Sequence, residues 1–206
     1  MTIVLIDNQE IILRGAESII QTAFPAAHYL CFTSLEKGVK QIEEAECQLL
    51  VMEVYWPQVN ARSLIQQVLA LKPNLPVVVF SGRPEKIYAK WILQSGARGF
   101  VSKHCPLIEL VTCIQTVLKG EHYLSQLLLN QLTQDFLHKR TSNPFEKLSA
   151  REMEICHFLL EGHYVSEIAS IMKLHASTIG THQHRILKKL GVQRVSEIRG
   201  LAELYM

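Results

Sequence analysis

The stretch that decides the fold of the C-terminal third runs from Leu148 to Leu190 and reads LSAREMEICHFLLEGHYVSEIASIMKLHASTIGTHQHRILKKL. It contains three short helical patterns, each with apolar residues spaced to lie along one face. The first pattern runs from Ser149 to Leu160. Ser149 suits its N-cap, Glu152 completes a capping box, and Gly162 suits its end because glycine readily takes a left-handed conformation. The stretch therefore predicts a small all-α domain, which we place at residues 144–206.

Two further helices follow, separated by a tight turn. The second is predicted from Ser166 to Met172, with the small Ala169 at a position where another helix can approach closely. The turn covers Lys173 to Ala176, and the third helix begins near Ser177 or Thr178. That helix has a polar, basic outer face and an apolar inner face formed by Ile179, Ile186, Leu187 and Leu190. Two short helices joined in this way, the second amphipathic and basic, are typical of a helix-turn-helix.

Many positions of this stretch agree in one register: Leu148-Ser149-x-Arg151-Glu152, Gly162, Glu167-Ile168-Ala169, Thr178-Ile179, His182 and Lys188-x-Leu190-Gly191-Val192. They resemble the LuxR-type helix-turn-helix. A helical bundle without a role in DNA binding is the alternative that the periodicity alone leaves open. The resemblance implies double-stranded DNA as a partner and dimers paired through the last helix, Val195 to Leu204. On that helix we expect three exposed apolar residues, Ile198, Leu201 and Ala202.

In a LuxR-type domain the third helix enters the major groove, so the resemblance assigns the DNA contacts to its outer face. Gly180, Thr181 and His184 match the base-facing positions, and Thr178 is expected to cap the helix and offer its hydroxyl to a phosphate. Gly180 stands where family members often have lysine, and it cannot read a base edge. The remaining DNA-binding residues that the resemblance implies are His182, Arg185, Lys188 and Lys189, of which the basic three suit phosphate contacts.

Overall charge does not argue for nucleic acid. The 206 residues carry a net charge of only +2, and residues 144–206 contain 8 basic and 7 acidic side chains. The case for DNA therefore rests on where the basic residues lie. The 5 cysteines show no CxxC spacing, which predicts buried, reduced thiols and a cytoplasmic location. The start, MTIVLIDNQE, is neither a signal peptide nor a membrane span, so no membrane partner is expected.

Residues 1–122 alternate strand patterns with helical patterns. The strands are predicted at Ile3–Ile6, His28–Phe32, Leu49–Met52, Pro76–Phe80 and Gly99–Val101. The helices are predicted at Gln9–Thr22, Ser34–Glu44, Asn60–Leu71, Glu85–Gln94 and Pro106–Lys119. Five strand–helix units in succession predict an α/β, doubly wound, five-stranded parallel sheet with helices on both faces. Residues 123–143 then supply a linker helix, Tyr123–Leu137, and a polar join that begins at His138.

Ligand chemistry in such a sheet lies at the carboxyl ends of the strands. Those ends carry Asp7, Asn8, Glu53, Ser81 and Lys103, within the motifs VLIDNQ, QLLVMEVYWP, VVVFSG and GARGFVSK. These motifs resemble the receiver domain of two-component response regulators over about residues 1–122. Together with the LuxR-type match, they imply the NarL/FixJ class of response regulator, whose members regulate transcription and are not enzymes.

The receiver pocket departs from the family's pattern. Asp7 fills the first acidic position of the Mg²⁺ site, but Asn8 replaces the second, and Glu53 stands where the family has the phosphoacceptor aspartate, four residues before Pro57. Mg²⁺ prefers several hard oxygen ligands. Asp7 and Glu53 therefore predict at most a weak Mg²⁺ site, and no other cofactor is expected. The other family positions are Ser81 and Lys103, which bind phosphoryl oxygens, Phe100, the aromatic that repositions on activation, and Ala61 in place of a usual glycine.

Glu53 is one methylene longer than aspartate, so its oxygens project roughly 1.5 Å further into the pocket. In-line attack tolerates such a displacement poorly, since about 1 Å can reduce a rate on the order of a hundredfold. We therefore expect that the receiver is not normally phosphorylated. Two interpretations of Glu53 remain open. It forms a permanent ion pair with Lys103 that imitates the switched-on state, or it is a solvated carboxylate in an unused pocket.

Three classes of function are compatible with these residues. The leading one is a DNA-binding transcription regulator with a degenerate receiver. The second is an interaction partner that forms heterodimers with another LuxR-type regulator and binds little DNA alone, which Gly180 favours. The third is a phosphorelay member that accepts a phosphoryl group, and Asn8 and Glu53 both count against it.

Overall fold

Five parallel strands form a sheet in the order β2-β1-β3-β4-β5. They are β1 (Thr2–Ile6), β2 (His28–Phe32), β3 (Leu49–Met52), β4 (Val77–Ser81) and β5 (Gly99–Ser102). The computed structural model describes residues 1–44, 46–56, 59, 61–138 and 143–205, without the side chains of residues 87, 131, 135–138 and 203–205. Strands β3 and β4 are buried along their whole length. Strands covered on both faces have continuous apolar sequences, which is why the apolar runs predicted them correctly.

Five helices accompany the sheet: α1 (Glu10–Ala23), α2 (Leu35–Glu44), α3 (Ala61–Leu71), α4 (Glu85–Gln94) and α5 (Ile108–Leu118). Helices α1 and α5 share one hydrophobic cluster with the strands, in which Ile20 and Ile114 are fully buried. Helix α2 packs against α3 and against β1. Gly38 of α2 permits this approach, because a Cβ there would lie 2.5 Å from Cδ1 of Ile6. The predicted α/β fold with a parallel sheet is confirmed.

The linker helix predicted after α5 forms, but it does not begin where the sequence predicted. The linker helix α6 is Gln126–His138 and begins three residues later than expected. Tyr123 instead forms a parallel bridge with Gly99 of β5, and its backbone N–H donates to the carbonyl of Arg98 at 2.8 Å. Since β5 is at the edge of the sheet, this segment covers unpaired main-chain groups. Pairing with a distant strand therefore overrode the local helical pattern.

The chain divides into two compact units within α6, between Leu129 and Asn130, and each is described by itself. After the end of α6, the described residues of the second unit form a 3₁₀ helix (Pro144–Lys147) and four α-helices: α7 (Ala150–Leu160), α8 (Val165–Met172), α9 (Ala176–Leu190) and α10 (Val195–Tyr205). Residues 139–142 of the predicted join, like Pro57, lie outside the described residues. In the part of the chain that is described, no helix has both the length and the apolar character needed to cross a membrane.

Of the two helix caps predicted in this domain, one is confirmed and the other is wrong. The capping box of α7 is confirmed, since Ser149 Oγ accepts from Glu152 N at 3.3 Å and Ser149 N donates to Glu152 Oε2 at 2.7 Å. Thr178 is not the cap of α9. Lys173 takes a left-handed conformation, with φ 49°, so the turn closes early and His175 becomes the N-cap. Thr178 therefore lies inside the first turn of α9.

The exposure predicted for the last helix is wrong. Ile198 is 0% exposed and Ala202 is 2% exposed, while Leu201 is half-buried. Helix α10 packs against α7 and α9. A small domain uses the apolar stripe of each helix to close its own core. These side chains therefore stabilise the domain. The dimer contact was predicted because they were expected to be exposed, so their burial removes that argument.

The 5 cysteines all carry free thiols, as the sequence predicted. Cys113 and Cys156 are buried, whereas Cys31, Cys47 and Cys105 are only half-buried. Burial raises the pKa of the Cys156 thiol to about 12. At neutral pH this thiol is protonated and acts as a small apolar side chain.

A buried carboxylate joins α7 to α9. Glu152 is 3% exposed, and its Oε2 lies 2.6 Å from Nζ of Lys189. Burial acts to raise the pKa of Glu152, but hydrogen bonds from Lys189 and Ser149 outweigh it and lower the pKa below the ordinary 4.5. The ammonium group of Lys189, which was predicted to contact phosphate, is thus engaged within the domain.

We predict that Glu152→Gln lowers the free energy of unfolding of this domain by about 1–2 kcal/mol at neutral pH. The pKa of Glu152 is lowered by folding, so its contribution is present above the ordinary glutamate pKa and lost as pH falls through the lowered value. Thermal unfolding followed by circular dichroism at about pH 7 and about pH 3 would measure this difference. Glu146→Gln, at an exposed position, is the control. An equal loss of unfolding free energy at both pH values would show that the charge of Glu152 does not stabilise the domain.

Candidate functional site

Four polar side chains meet at the carboxyl edge of the sheet, each placed by the end of a strand. Asp7 follows β1, Glu53 follows β3, Ser81 ends β4 and Lys103 follows β5. The backbone N–H of Lys103 donates to the carbonyl of Ser81 at 2.8 Å, which fixes the two strand ends relative to each other. Asp7, Glu53 and Ser81 are 3%, 6% and 0% exposed. The structure therefore brings Asp7, Glu53, Ser81 and Lys103 together, whereas Asn8 is exposed to solvent.

The Glu53 carboxylate is the centre of this pocket. Its Oε1 accepts hydrogen bonds from Ser81 Oγ at 2.7 Å, Val54 N at 2.8 Å and Tyr55 N at 3.0 Å. Its Oε2 lies 2.9 Å from Nζ of Lys103. A buried carboxylate needs such donors, because it has lost its hydration. The interpretation of Glu53 as a solvated carboxylate is therefore wrong.

Lys103 lies between two carboxylates. Its Nζ is 2.5 Å from Asp7 Oδ2 and 2.9 Å from Glu53 Oε2, and Gln9 N donates to Asp7 Oδ1 at 2.9 Å. Burial raises the pKa of Asp7, and the nearby Glu53 charge adds to the rise, while the hydrogen bonds from Lys103 and Gln9 oppose it. Both carboxylates thus depend on one ammonium group for their charge balance.

The residues present do not fit a resident Mg²⁺ ion. Such an ion needs near-octahedral oxygen ligands, and the ammonium of Lys103 already occupies the space between Asp7 and Glu53. Asn8, which replaces the other acidic ligand of the family, is exposed. Among the described residues, no group of three or more histidine, cysteine or acidic side chains is placed to hold a metal. The weak Mg²⁺ site predicted from the sequence therefore lacks a suitable set of ligands.

A stacked pair holds together the loops that follow β3 and β4. The guanidinium carbon of Arg83 lies 3.4 Å from the centroid of the Tyr55 ring, and Arg83 N donates to Ser81 Oγ at 3.3 Å. Trp56 Nε1 donates to the backbone carbonyl of Glu53 at 2.7 Å. Sequence reasoning missed these contacts, because a cation–π pair between two loops has no local pattern.

Phe100, the aromatic expected to reposition on activation, lies within β5. It pairs with Val79 of β4 and is 1% exposed. The ring is therefore part of the packed core rather than of the solvent-exposed surface.

The outer face of α9 carries most of the predicted DNA-reading residues. Thr181, His184, Arg185 and Lys188 are exposed. A Cβ added at Gly180 would meet nothing within 4 Å, so this position leaves a gap in the face. Four polar side chains and one gap thus form the surface that a recognition helix would present.

His182 differs from these residues. It is half-buried, and among the described residues its Nδ1 is buried without a hydrogen-bond partner. His182 therefore lies at the inner flank of α9, and its match to the LuxR-type pattern is compatible with a role in packing.

Both halves of the chain match known families. Residues 3–115 match the response regulator receiver domain, and residues 146–201 match the bacterial regulatory proteins of the luxR family. The first match covers more than half of the chain, which therefore belongs to the response regulators. With its LuxR-type C-terminal domain it is a NarL/FixJ-type member, a DNA-binding transcription regulator.

Individual relatives extend the similarity over most of the chain. Response regulator GacA of Pseudomonas aeruginosa is 29% identical over 168 residues, 81% of this chain and 78% of GacA. Response regulator UvrY of Escherichia coli is 22% identical over 216 residues, 98% and 93% of the two chains. RcsB from Salmonella enterica serovar Typhimurium, solved bound to promoter rprA with phosphomimetic BeF3-, has a TM-score of 0.72 at 18% identity over 98% of this chain and 97% of that chain. The RcsB likeness confirms the predicted two-part fold.

We predict that Lys103→Met lowers the free energy of unfolding of the receiver by about 3–5 kcal/mol, because it leaves two buried carboxylates unpaired. Added Mg²⁺ should restore part of this loss in the variant and have little effect on the wild type, whose ammonium fills the same space. The 2 tryptophans, Trp56 and Trp91, are both in the receiver, so urea unfolding followed by tryptophan fluorescence reports on it alone.

Lys40→Met is the matched control, because Lys40 forms an ion pair with Glu44 whose two side chains are 70% and 60% exposed. Exposed pairs contribute about 0–1 kcal/mol. Equal stabilisation of wild type and Lys103→Met by Mg²⁺ would show that the ammonium does not exclude the ion.

Proposed function

We propose that this chain is a DNA-binding transcription regulator whose receiver is held in its switched-on arrangement by Glu53, without phosphorylation. One observation carries the proposal. Ser81 and Lys103, which resemble the hydroxyl and the lysine that bind phosphoryl oxygens in the family, both bind the carboxylate of Glu53. The carboxylate thus satisfies the groups that a phosphoryl group would otherwise satisfy.

The same contacts disfavour phosphoryl transfer to Glu53. Attack would require an oxygen free to approach phosphorus in line, yet Oε1 already accepts three hydrogen bonds and Oε2 is paired with Lys103. The transferring group also requires a cation to balance its charge, and the exposed amide of Asn8 replaces the second acidic ligand with which the family holds that cation. Phosphorylation of Glu53 would therefore have to break these hydrogen bonds and the ion pair with Lys103.

The test compares wild type with the double variant Glu53→Asp/Asn8→Asp, which restores the family's residues at both positions. With acetyl phosphate and Mg²⁺, we expect intact-mass measurement to find no phosphoryl group on wild type and one on the double variant. DNA affinity should then respond to the phosphoryl donor only in the double variant. The two single variants are the controls. Glu53→Asp alone shortens the side chain, and Asn8→Asp alone adds a negative charge.

Glu53→Gln tests the switched-on arrangement itself. The amide keeps the shape but loses the charge that binds Lys103, so we expect about tenfold weaker DNA binding, equivalent to about 1.4 kcal/mol. Unchanged DNA binding by this variant, or a phosphoryl group mapped to Glu53 of wild type, would refute the proposal.

We further propose that α9 reads DNA through Thr181 and His184, while Arg185 and Lys188 bind phosphates. RcsB, which has the same fold, is bound to promoter DNA in its structure. This chain departs from a strong binder in two ways, because Gly180 leaves a gap and Lys189 is paired with Glu152. These departures favour the second candidate function, in which the chain binds DNA effectively only as a heterodimer with another LuxR-type regulator.

We predict that Lys188→Ala weakens binding to preferred and scrambled duplexes alike and reduces the salt slope by about one, because it removes one phosphate contact. His184→Ala should instead relax sequence preference, since a histidine on this face can hydrogen-bond a base edge. Mobility shifts at several salt concentrations would separate the two effects, with Lys147→Ala outside α9 as the control.

Gly180→Lys, for which the helix surface has open space, should raise affinity for both duplexes. If wild type shows no salt-dependent binding as a homodimer but binds once mixed with a second LuxR-type regulator, the heterodimer function replaces the first. If the protein binds DNA under neither condition, both candidate functions are refuted.

A further inference from the structure

Three exposed polar residues at the start of α9 are hydrogen-bonded to one another. Nδ1 of His175, the N-cap, lies 2.8 Å from Oγ of Ser177. One turn later, Oγ1 of Thr181 donates to the backbone carbonyl of Ser177 at 2.9 Å. The Thr181 hydroxyl therefore lies on the outer face of α9 and is bonded to the backbone of the helix itself.

The direction of the Thr181 hydrogen bond is fixed, because a carbonyl oxygen can only accept. A threonine hydroxyl has one proton and two acceptor lone pairs. The carbonyl of Ser177 uses that proton, so only lone pairs remain for a partner outside the helix. Thr181 consequently offers a hydrogen-bond acceptor, and no donor, to a molecule that lies against this face.

The helix favours this orientation of the side chain. Threonine is stiff at χ1, and within a helix its hydroxyl can bond the carbonyl of the residue four positions earlier. Thr181 adopts the rotamer that does so, since its partner is Ser177. Turning the proton outward would break this bond. A contact that needs the proton is therefore disfavoured relative to one that needs a lone pair.

His184, the other base reader proposed above, has no such fixed direction. It is exposed on the same face, about one turn after Thr181. A neutral imidazole carries one donor nitrogen and one acceptor nitrogen, and exchange of tautomers interchanges them. Of the two residues, only Thr181 thus has a hydrogen-bonding direction that its own helix determines.

The four bases differ in what they present to such an acceptor in the major groove. Adenine presents the amino group N6, and cytosine presents the amino group N4, and both are donors. Guanine presents O6 and N7, and thymine presents O4, all of which are acceptors. Thr181 lies in the second turn of α9, and the N-terminal part of a recognition helix is the part that contacts base edges.

We infer that Thr181 selects a base with an amino group in the major groove, adenine or cytosine, and discriminates against guanine and thymine at that position. The inference rests on the proposed function, in which α9 reads DNA, and it names the class of base that one residue recognises. An amino group donates to the free lone pairs of Oγ1, whereas a carbonyl oxygen or ring nitrogen would face them without a proton to share.

The first test selects binding sites from a library of randomised duplexes with the full-length chain, alone and mixed with a second LuxR-type regulator. Thr181→Val keeps the shape of the side chain but removes the hydroxyl. We expect the wild-type sites to contain a position occupied by adenine or cytosine whose preference is lost in Thr181→Val. His184→Ala is the matched control on the same helix face, and it should keep the preference at this position. Circular dichroism establishes that each variant is folded.

The second test removes the amino group from the DNA. The selected adenine is replaced by purine, or the selected cytosine by 2-pyrimidinone, and both analogues lack only the exocyclic amino group. Wild-type affinity should fall about fivefold more than the affinity of Thr181→Val, because only the wild type loses a hydrogen bond to the base. The comparison with Thr181→Val corrects for any change in the duplex itself.

Three results would overturn the inference while DNA binding persists. They are a guanine or thymine at the position that Thr181→Val alters, no position altered by Thr181→Val, and equal losses for both proteins on the analogue duplex. If the wild type binds no duplex, alone or in the mixture, the proposed function fails and this inference fails with it. The two failures are therefore distinguishable.

Discussion

The ion pair between Lys103 and Glu53 is the constraint on which the receiver depends. Removing two charges from water carries a penalty of several kcal/mol per ion, and the penalty is offset only when the remaining donors and acceptors are satisfied. Here Lys103 also pairs with Asp7, and Ser81 binds the other oxygen of Glu53. One network therefore joins the ends of β1, β3, β4 and β5. Loss of any member leaves another buried group without its partner.

The sequence predicted the parts of the fold that local patterns determine. Continuous apolar runs identified the strands, and Ser149 with Glu152 identified the start of α7. The pocket residues followed from their places at strand ends. Two contacts between distant segments were not predicted: Arg83 stacks on Tyr55, and Ile198 is covered by neighbouring helices. Periodicity tells which face of a helix is apolar, but it does not tell what covers that face.

The C-terminal domain shows a similar limit of residue counting. Eight basic and seven acidic side chains in residues 144–206 leave a nearly neutral domain. The structure further divides the basic residues by role, since Lys189 neutralises a buried carboxylate while Lys188 is exposed. Electrostatic attraction to DNA depends on the exposed cations on one face. The number of basic residues alone therefore overstates the positive charge that such a surface offers.

The pairing of Tyr123 with Gly99 has a consequence for solubility. An uncovered edge strand is a template on which another chain can add a strand, and natural proteins protect such edges. Here the protection comes from the segment that follows α5. A receiver cut after Leu118 would lose this cover and expose part of β5 to self-association. The linker thus protects the receiver against aggregation. The oligomers that a truncated receiver forms therefore do not represent those of the whole chain.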